Sequence, residues 1–312
     1  MLTLLILSRD AAAYRSSIDA AALADLTMFA TSDPSGAATH AAACDVALGE
    51  PGLLAPLLPR MPRLRWLQST WAGVEPFLDP ALRRDYILTN ACGVFGRLMA
   101  EYVFGYMLAH ERRILEKYAS QQAGRWDATP PGSLVGKQIG LIGVGSIGAA
   151  LARTAKHFGM RVKGYTRASE GCPDVDAYFH GDDRHRFAAD LDYLVSVAPN
   201  TAGTRRLVDA ELLGALPPHA VFINPGRGAI VDEAALAAAL QTGRLAGAVL
   251  DVFEREPLPA DHVLWRTPNV LITGHTAALS DPMDISRVFV ENYARFVRGE
   301  PLKCRVDFER GY

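Results

Sequence analysis

A glycine-rich turn between an apolar segment and an alanine-rich segment constrains the fold of this chain most. It reads GLIGVGSIGAALA and places Gly143, Gly145 and Gly148 in the spacing G-x-G-x-x-G. These glycines permit a tight turn, close backbone approach to a pyrophosphate, and close packing of helix on strand. We therefore predict a dinucleotide site that includes Ser146 and Ile147 at the helix N-terminus. A structural turn or another nucleoside site is the alternative.

Short apolar segments alternate with helical segments after Lys137, and this pattern predicts a doubly wound parallel sheet. Its predicted strands are residues 139–144, 161–165, 193–198, 221–224, 247–252 and 270–273. A long helix is predicted before the sheet, over residues 98–122, with Gly124 just past its end.

The beginning of the chain predicts a second, smaller α/β unit. The predicted strands there are residues 2–7, 46–48 and 64–69, and the predicted helical stretches are residues 17–26 and 51–58. A final helix is predicted over residues 283–296. The fold class is therefore α/β, with two Rossmann-like or flavodoxin-like domains.

Length and charge exclude several classes of protein. The 312 residues are enough for about two domains. With 32 Lys+Arg against 34 Asp+Glu and a formal charge of −2, the chain lacks the basic footprint of a protein that binds nucleic acid or an anionic membrane. The opening segment MLTLLILSRD has a short apolar run and no basic lead-in, so it predicts a buried strand and not a signal peptide.

The four cysteines give no pattern of a metal or disulfide framework. Cys44, Cys92, Cys172 and Cys304 are far apart, and none forms a C-x-x-C pair. The sequence therefore suggests neither a zinc site nor a disulfide framework, and a reducing cytoplasm is the simplest setting.

The end of the second predicted strand of the large sheet indicates which cofactor binds. It reads Gly164-Tyr165-Thr166-Arg167 and carries no carboxylate, whereas a site that prefers NAD has Asp or Glu there for the ribose 2′-hydroxyl. Thr166 can hydrogen-bond a 2′-phosphate and Arg167 can pair with it. We predict a preference for NADP(H) over NAD(H). The alternative is a solvated Arg167 and use of both cofactors.

Polar residues follow the last three predicted strands. Arg227, Asp251 and His275 are separated by 24 residues each, which is about one strand and one helix, and Glu256 follows Asp251 closely. Parallel strands bring their carboxyl ends to one edge of the sheet, where open α/β folds bind ligands. We therefore expect these side chains to meet.

These motifs together resemble the D-isomer-specific 2-hydroxyacid dehydrogenase family, most closely its NADPH-dependent glyoxylate/hydroxypyruvate reductases. The glycine turn, N-x-x-R-G-x-x-V-D-E, D-V-F-x-x-E-P-L and the final Gly-His match in order and spacing. The resemblance implies that Arg227 binds the carboxylate and carbonyl of a 2-oxoacid and polarises the carbonyl. It implies that His275 exchanges a proton with the substrate oxygen. Glu256 would orient His275 and favour its protonated form.

The resemblance also implies supporting positions and domain limits. The substrate carboxylate would meet the loop of Trp71, Ala72 and Gly73, and Trp71 either walls the pocket or packs under the loop. Arg97 is expected to be a solvated charge near the domain junction. The further cofactor contacts would be Ala198, Pro199, Thr204, Pro225, Gly226 and Asp251. The implied domains are residues 1–97 with 282–312 for substrate, and 98–281 for the dinucleotide, with a cleft between them and a homodimer formed through the cofactor domain.

Other functions are built on the same scaffold. Formate dehydrogenases have Gln where Glu256 stands here, and phosphite oxidation relies on a substrate-domain Lys, whereas no Lys precedes Lys117. A dehydrogenase for phosphoglycerate or branched 2-oxoacids stays open, as does a non-enzymatic, nucleotide-sensing corepressor-like protein. A methyltransferase with a glycine-rich turn does not explain Arg227, Glu256 and His275 together.

Overall fold

The chain forms two compact units in the computed structural model, which describes residues 1–312. Unit 1 comprises Met1–Val94 and Ser280–Tyr312, and unit 2 comprises Phe95–Leu279. Each unit is built around one sheet in which every strand pair is parallel, so the predicted α/β class is confirmed. None of the helices is long and apolar enough to cross a membrane.

Unit 1 holds the smaller sheet. Its strands are β1 (Leu2–Leu7), β2 (Leu26–Thr31), β3 (Val46–Gly49), β4 (Trp66–Ser69) and β5 (Ile87–Thr89), and its helices are α1 (Ala11–Asp19), α2 (Pro34–His40), α3 (Pro51–Leu54) and α10 (Pro282–Val297). The strand order is β2-β1-β3-β4-β5. The C-terminal helix α10 buries Ile285, Phe289 and Tyr293, one residue per turn, so it returns an amphipathic face to this unit.

Two predicted helical stretches in unit 1 are corrected by the structure. The stretch over 17–26 is wrong, because α1 ends at Asp19 and β2 begins at Leu26. Ala22 and Asp25 have left-handed φ angles of 47° and 56°, which no continuous helix allows. The stretch over 51–58 is a single α-turn, α3, followed by a 3₁₀ segment over Ala55–Arg60.

Unit 2 holds the larger sheet. Its strands are β6 (Gln138–Ile142), β7 (Arg161–Tyr165), β8 (Ala177–Phe179), β9 (Tyr193–Ser196), β10 (Val221–Asn224), β11 (Gly247–Leu250) and β12 (Val270–Ile272). Its helices are α4 (Gly96–Glu111), α5 (Ile114–Gln122), α6 (Ser146–His157), α7 (Arg184–Ala188), α8 (Ala210–Ala215) and α9 (Glu233–Gln241). The strand order is β12-β11-β10-β9-β6-β7-β8, so the order reverses between β6 and β9.

Both faces of the larger sheet are covered. Neighbouring residues of β9 point to opposite sides, so that Leu194 joins one apolar cluster and Val195 joins another. In β10, Phe222 and Ile223 alternate in the same way. The sheet is therefore doubly wound, and only its strand ends are left for ligands.

The predicted long helix over 98–122 is two helices. Helix α4 ends at Glu111 and α5 begins at Ile114, and between them Arg113 has a φ of 54°. Side chains with this backbone conformation are rare, and apolar periodicity does not report it. The predictions also missed β2, β5 and β8, of which β5 and β8 have only three residues each.

One disulfide forms that the spacing of the cysteines did not suggest. Cys92 and Cys304 are bonded within unit 1, across a sequence separation of 212 residues and a Cα–Cα distance of 5.8 Å. Cys44 and Cys172 are free. Spacing along the chain could not reveal the pair, because α10 and the tail after it bring Cys304 back beside β5: Val306 N–H donates to the carbonyl of Leu88.

Candidate active site

The glycine turn lies at the point where the strand order of the larger sheet reverses. Gly143 has a φ of 94°, and a Cβ there would lie 2.9 Å from the backbone N of Ala198, which follows β9. A Cβ on Gly148 would overlap the carbonyl oxygen of Gly143, whereas a Cβ on Gly145 would meet nothing within 4 Å. The first and third glycines are therefore required by packing, and Gly145 faces open space.

The N-terminus of α6 opens onto a cavity of about 350 Å³. No hydrogen bond within the protein uses the N–H groups of Gly145 and Ser146, which line this cavity. Ile147 packs against the apolar core, so only its backbone can face a ligand. Free amide groups at a helix N-terminus suit a pyrophosphate, and the residues present fit a dinucleotide. Arg153, one of the lining residues, was missed by the sequence analysis.

The turn after β7 carries the predicted 2′-phosphate residues. Arg167 is exposed, whereas Thr166 is buried and its hydroxyl donates to the carbonyl of Ser169 at 2.8 Å. Thr166 has one hydroxyl proton, so the structure gives this residue a role in shaping the turn. Pairing of Arg167 with a 2′-phosphate stays a prediction.

His180 adds a titratable imidazole to the same turn. Its Nε2 lies 2.7 Å from Glu170 and its Nδ1 lies 2.9 Å from the carbonyl oxygen of Thr166. The hydrogen bond to Glu170, followed by the one to the Thr166 carbonyl, raises the pKa of His180 above its usual range. The imidazolium form therefore persists to higher pH than in a free histidine, in contact with Thr166, the residue before Arg167.

The loop after β9 closes on itself. Ala198 is buried against the glycine turn, and Thr204 Oγ1 lies 2.7 Å from the carbonyl oxygen of Pro199. The same hydroxyl accepts the N–H of Thr201 at 2.8 Å. Thr204 thus holds the shape of the loop that presents Ala198 and Pro199.

The loop after β10 presents Arg227. Asn224 is fully buried, its amide nitrogen donates to the carbonyl of Arg227 at 3.0 Å, and its amide oxygen accepts the N–H of Gly226 at 3.2 Å. Pro225 and Gly226 are buried, and a Cβ on Gly226 would lie 2.7 Å from the Ser196 carbonyl oxygen. The loop backbone therefore lies directly against the neighbouring strand end, and Arg227 is the half-buried side chain that leaves it.

His275 and Glu256 form a hydrogen-bonded pair. His275 Nδ1 lies 2.7 Å from Glu256 Oε2, and Glu256 Oε1 accepts the N–H of Phe253 at 2.9 Å. The carboxylate is therefore held from one side while it holds the imidazole from the other. The His275 side chain is 51% exposed, so its other nitrogen, Nε2, can reach a substrate. This is the geometry of an oriented general acid–base.

Asp251 lies under this pair and is only 1% exposed. Its carboxylate accepts the N–H groups of Thr276 and Ala277, both at 2.9 Å, and the hydroxyl of Thr273. The carbonyl of Asp251 accepts the N–H of His275 at 2.8 Å. The buried carboxylate needs internal donors, and it positions the His275 loop. The expected contact of Asp251 with the nicotinamide half stays a prediction.

Tyr102 extends this support. Its hydroxyl lies 2.8 Å from Thr273 Oγ1, and because Thr273 donates to Asp251, Tyr102 is the donor to Thr273. Burial raises the pKa of Tyr102, so the phenol stays protonated and can donate. The chain from Tyr102 through Thr273 to Asp251 holds the loop in which His275 takes a left-handed φ of 57°.

Unit 1 contains the predicted substrate loop. The carbonyl of Trp71 accepts the N–H of Ala91 at 3.1 Å, and the carbonyl of Ala72 accepts the side-chain amide of Asn90 at 2.9 Å. No hydrogen bond within the protein uses the N–H groups of Ala72 and Gly73. They can donate to a carboxylate, and the indole of Trp71 is 44% exposed beside them.

Arg97 lies outside this loop. It is exposed on α4 in unit 2, and its guanidinium lies 3.9 Å from Glu101, one helical turn further along. An ion pair at this spacing on an exposed helix face contributes only a few tenths of a kcal/mol, about 0.3–0.5.

Comparison with known proteins decides the family. The NAD-binding domain of the D-isomer specific 2-hydroxyacid dehydrogenases matches residues 104–277, more than half of the chain. Glyoxylate/hydroxypyruvate reductase A of Klebsiella pneumoniae is 36% identical over 248 residues, which are 77% of this chain and 80% of that protein. The chain belongs to the D-isomer specific 2-hydroxyacid dehydrogenase family. It is an oxidoreductase, and the resemblance inferred from the motifs is confirmed.

Solved structures of the same family support the fold over the whole chain. A family member from Aeromonas salmonicida superposes with a TM-score of 0.93 at 41% identity and covers 98% of this chain and 99% of its own. An NADPH-dependent glyoxylate/hydroxypyruvate reductase from Sinorhizobium meliloti, solved with NADP and sulfate, has a TM-score of 0.87 at 28% identity, with 100% of both chains covered.

Several residues of this dehydrogenase that act through other residues were not predicted from the sequence. Asn224, Thr273 and Tyr102 position the loops of Arg227 and His275. Asn90 positions the predicted substrate loop, and His180 contacts the carbonyl of Thr166, the residue before Arg167. Asn224 stands in the recognised N-x-x-R-G motif and could have been found there. The others have no local signal, because their partners are far away in the sequence.

Proposed function

We propose that this enzyme reduces small 2-oxoacids of the glyoxylate and hydroxypyruvate type to D-2-hydroxyacids with NADPH. The observation that carries the proposal is the oriented His275–Glu256 pair, at the same sheet edge as the Arg227 loop and the glycine turn. The names of the relatives from Klebsiella and Sinorhizobium support the same substrates and cofactor.

The residues divide the reaction between them. The nicotinamide supplies the hydride when the cofactor is bound. Arg227 binds the substrate carboxylate and carbonyl oxygen, and its positive charge stabilises the negative charge that develops on that oxygen. His275 donates the proton from Nε2, because Nδ1 is held by Glu256. In the reverse direction the same nitrogen accepts the proton.

We further propose separate tasks for the two units. Unit 2 binds the dinucleotide: Gly145 and Ser146 face the pyrophosphate, and Ala198 and Pro199 are placed for the adenine. Unit 1 binds the substrate carboxylate through the N–H groups of Ala72 and Gly73. Arg167, helped by His180, pairs with the 2′-phosphate, so NADPH is preferred and NADH is used less well.

The cofactor preference gives a direct test of the function. In an absorbance assay with glyoxylate, we expect wild-type kcat/KM to be higher with NADPH than with NADH. Arg167→Ala should lower kcat/KM for NADPH by about 10-fold, because a charge-assisted contact with phosphate is lost, and should leave the value for NADH within about twofold.

Arg161 offers a matched control for this variant. It is an exposed arginine at the opposite end of the same strand, β7, and Arg161→Ala should leave both cofactor values unchanged. A clear NADH preference of the wild-type enzyme, or an equal loss for both cofactors in Arg167→Ala, would contradict the assignment. Absence of any turnover with 2-oxoacids would refute the proposed function and favour a binding protein.

We also propose that the enzyme is a homodimer through unit 2. Helix α5 contains no buried residue, and Ile114, Leu115 and Tyr118 on it are 52%, 52% and 60% exposed. Trp126, which follows, is 95% exposed. A nine-residue helix without burial is marginal in water, so a second copy that covers this apolar face explains why it forms.

The dimer predicts a measurable mass. Sedimentation or light scattering should give twice the 33.7 kDa of one chain, and Leu115→Asp with Tyr118→Asp should shift the mass toward one chain. A single-chain mass for the wild type at micromolar concentration would contradict the dimer.

We propose a cytoplasmic location, which fractionation of the source cells would test.

A further inference from the structure

A short segment of unit 1, residues 90–92, touches both the substrate loop and the disulfide. We call this segment the brace. The N–H of Ala91 and the side-chain amide of Asn90 donate to the carbonyls of Trp71 and Ala72. Cys92 ends the brace and is bonded to Cys304. The brace thus binds two carbonyls of the substrate loop. The N–H groups of Ala72 and Gly73 in that loop stay available for an anion.

Cys304, the disulfide partner of Cys92, is also held by hydrogen bonds. Asn90 N–H donates to the carbonyl of Cys304 at 3.0 Å, and the Asn292 side chain bonds both the N–H and the carbonyl of Lys303, at 2.8 and 3.1 Å. Breaking the disulfide therefore leaves Cys304 in place. The Cα–Cα distance of 5.8 Å lies in the range that allows the bond to form again.

The other end of the brace has fewer anchors. The chain leaves unit 1 at Val94, only two residues after Cys92. From Cys92 to Val94 the backbone makes no hydrogen bond within unit 1, so the disulfide is the only bond that fixes this stretch to the unit. Its loss loosens the part of the brace next to Ala91, which holds Trp71.

We propose that Cys92 and Cys304 are a reversible redox pair that adjusts how tightly the substrate loop binds a carboxylate; the proposal rests on the proposed function of that loop. Both cysteines are partly exposed, so a small thiol can reach them. In the cytoplasm proposed for this enzyme, disulfides are typically transient and redox-sensing. Cys44 is different, since burial raises its pKa to about 12 and keeps it an unreactive thiol.

The oxidation step is balanced by a low-molecular-weight disulfide such as oxidised glutathione. One protein thiolate attacks a sulfur of oxidised glutathione. A mixed disulfide forms between the protein and one glutathione, and the other glutathione leaves as a thiolate. The second protein thiolate then attacks the protein sulfur of that mixed disulfide and releases the second glutathione. The two cysteines lose two electrons and two protons, and the glutathione disulfide gains them; an excess of reduced glutathione reverses both steps.

The effect falls on substrate binding and not on the chemical step. With the disulfide closed, the N–H groups of Ala72 and Gly73 are preorganised, so less ordering is needed when a carboxylate binds. With it open, we expect KM for glyoxylate to rise by about 3-fold to 10-fold. His275 and Arg227 lie in unit 2 and keep their local contacts, so kcat should change by less than about twofold.

The experiment compares three full-length proteins, which are the wild type, Cys92→Ser/Cys304→Ser and Cys172→Ser. Each is treated with dithiothreitol or with oxidised glutathione. Alkylation and mass spectrometry should count four thiols after dithiothreitol and two after oxidised glutathione, because only Cys44 and Cys172 are free in the structure. KM for glyoxylate should be higher in the reduced form. The double variant Cys92→Ser/Cys304→Ser should have the KM of the reduced form under both treatments, whereas Cys172→Ser should keep the redox response.

A second measurement separates this proposal from the proposed function. Amide hydrogen exchange of residues 69–74 should be faster in the reduced form, and this readout needs no turnover. Four thiols after oxidation, or equal exchange and equal KM in both forms, would overturn the redox pair. If exchange responds but glyoxylate is not reduced, the redox pair stands and the proposed function fails.

Discussion

Replacement of His275 by Asn should lower kcat/KM for glyoxylate reduction by about 100-fold or more. General acid–base catalysis contributes about 10²- to 10⁴-fold, and an amide cannot deliver the proton. Asn is a suitable replacement because it tolerates the left-handed φ of 57° that His275 adopts, so the loop over Asp251 should keep its shape. Steady-state kinetics with NADPH would measure the loss.

Glu256 provides the companion variant for this test. Glu256→Gln keeps the shape and can still bond His275 Nδ1, but it removes the carboxylate charge that strengthens this hydrogen bond. We expect a moderate loss of kcat, because the imidazole is then held less firmly. NADPH binding, followed by fluorescence, should be unchanged in both variants. Activity of His275→Asn close to that of the wild type would mean that another group supplies the proton.

Arg227→Ala should produce a loss of similar size, about 100-fold or more in kcat/KM, equivalent to about 2.7 kcal/mol of transition-state stabilisation. In the wild type the guanidinium binds the carboxylate and stabilises charge on the carbonyl oxygen. Its loss should therefore raise KM and lower kcat. Arg227→Lys should recover only part of the loss, because an ammonium lacks the planar fork of donors.

Arg244→Ala is the matched control for Arg227. Arg244 is exposed and precedes β11, at the edge of the larger sheet opposite to the loops of Arg227 and His275. Its removal should leave kinetics unchanged. If Arg227→Ala raised KM alone, with kcat intact, Arg227 would bind substrate and transition state equally and would not polarise the carbonyl.

Local sequence patterns predicted some strands and helices of the fold and missed others. Strands β9, β10 and β11 of the larger sheet were predictable because they are mostly apolar runs, and the structure buries every residue of them, as expected for strands covered on both faces. Strand β8 has three half-buried residues, and β5 has three residues with one half-buried, so neither produces a clear apolar run. The break between α4 and α5 depends on one left-handed residue, Arg113, which no periodicity reports.

The sequence alone determined the family and the α/β class, and it predicted Arg227, Glu256 and His275 as the catalytic residues, because these features lie in short motifs whose spacing matches one strand and one helix. Only the tertiary structure decided that Asp251 is buried, that Thr166 shapes a turn, and which distant groups hold each loop. The reason is physical. A side chain such as Tyr102 bonds Thr273, and Cys92 bonds Cys304, so each role exists only when folding brings distant segments together.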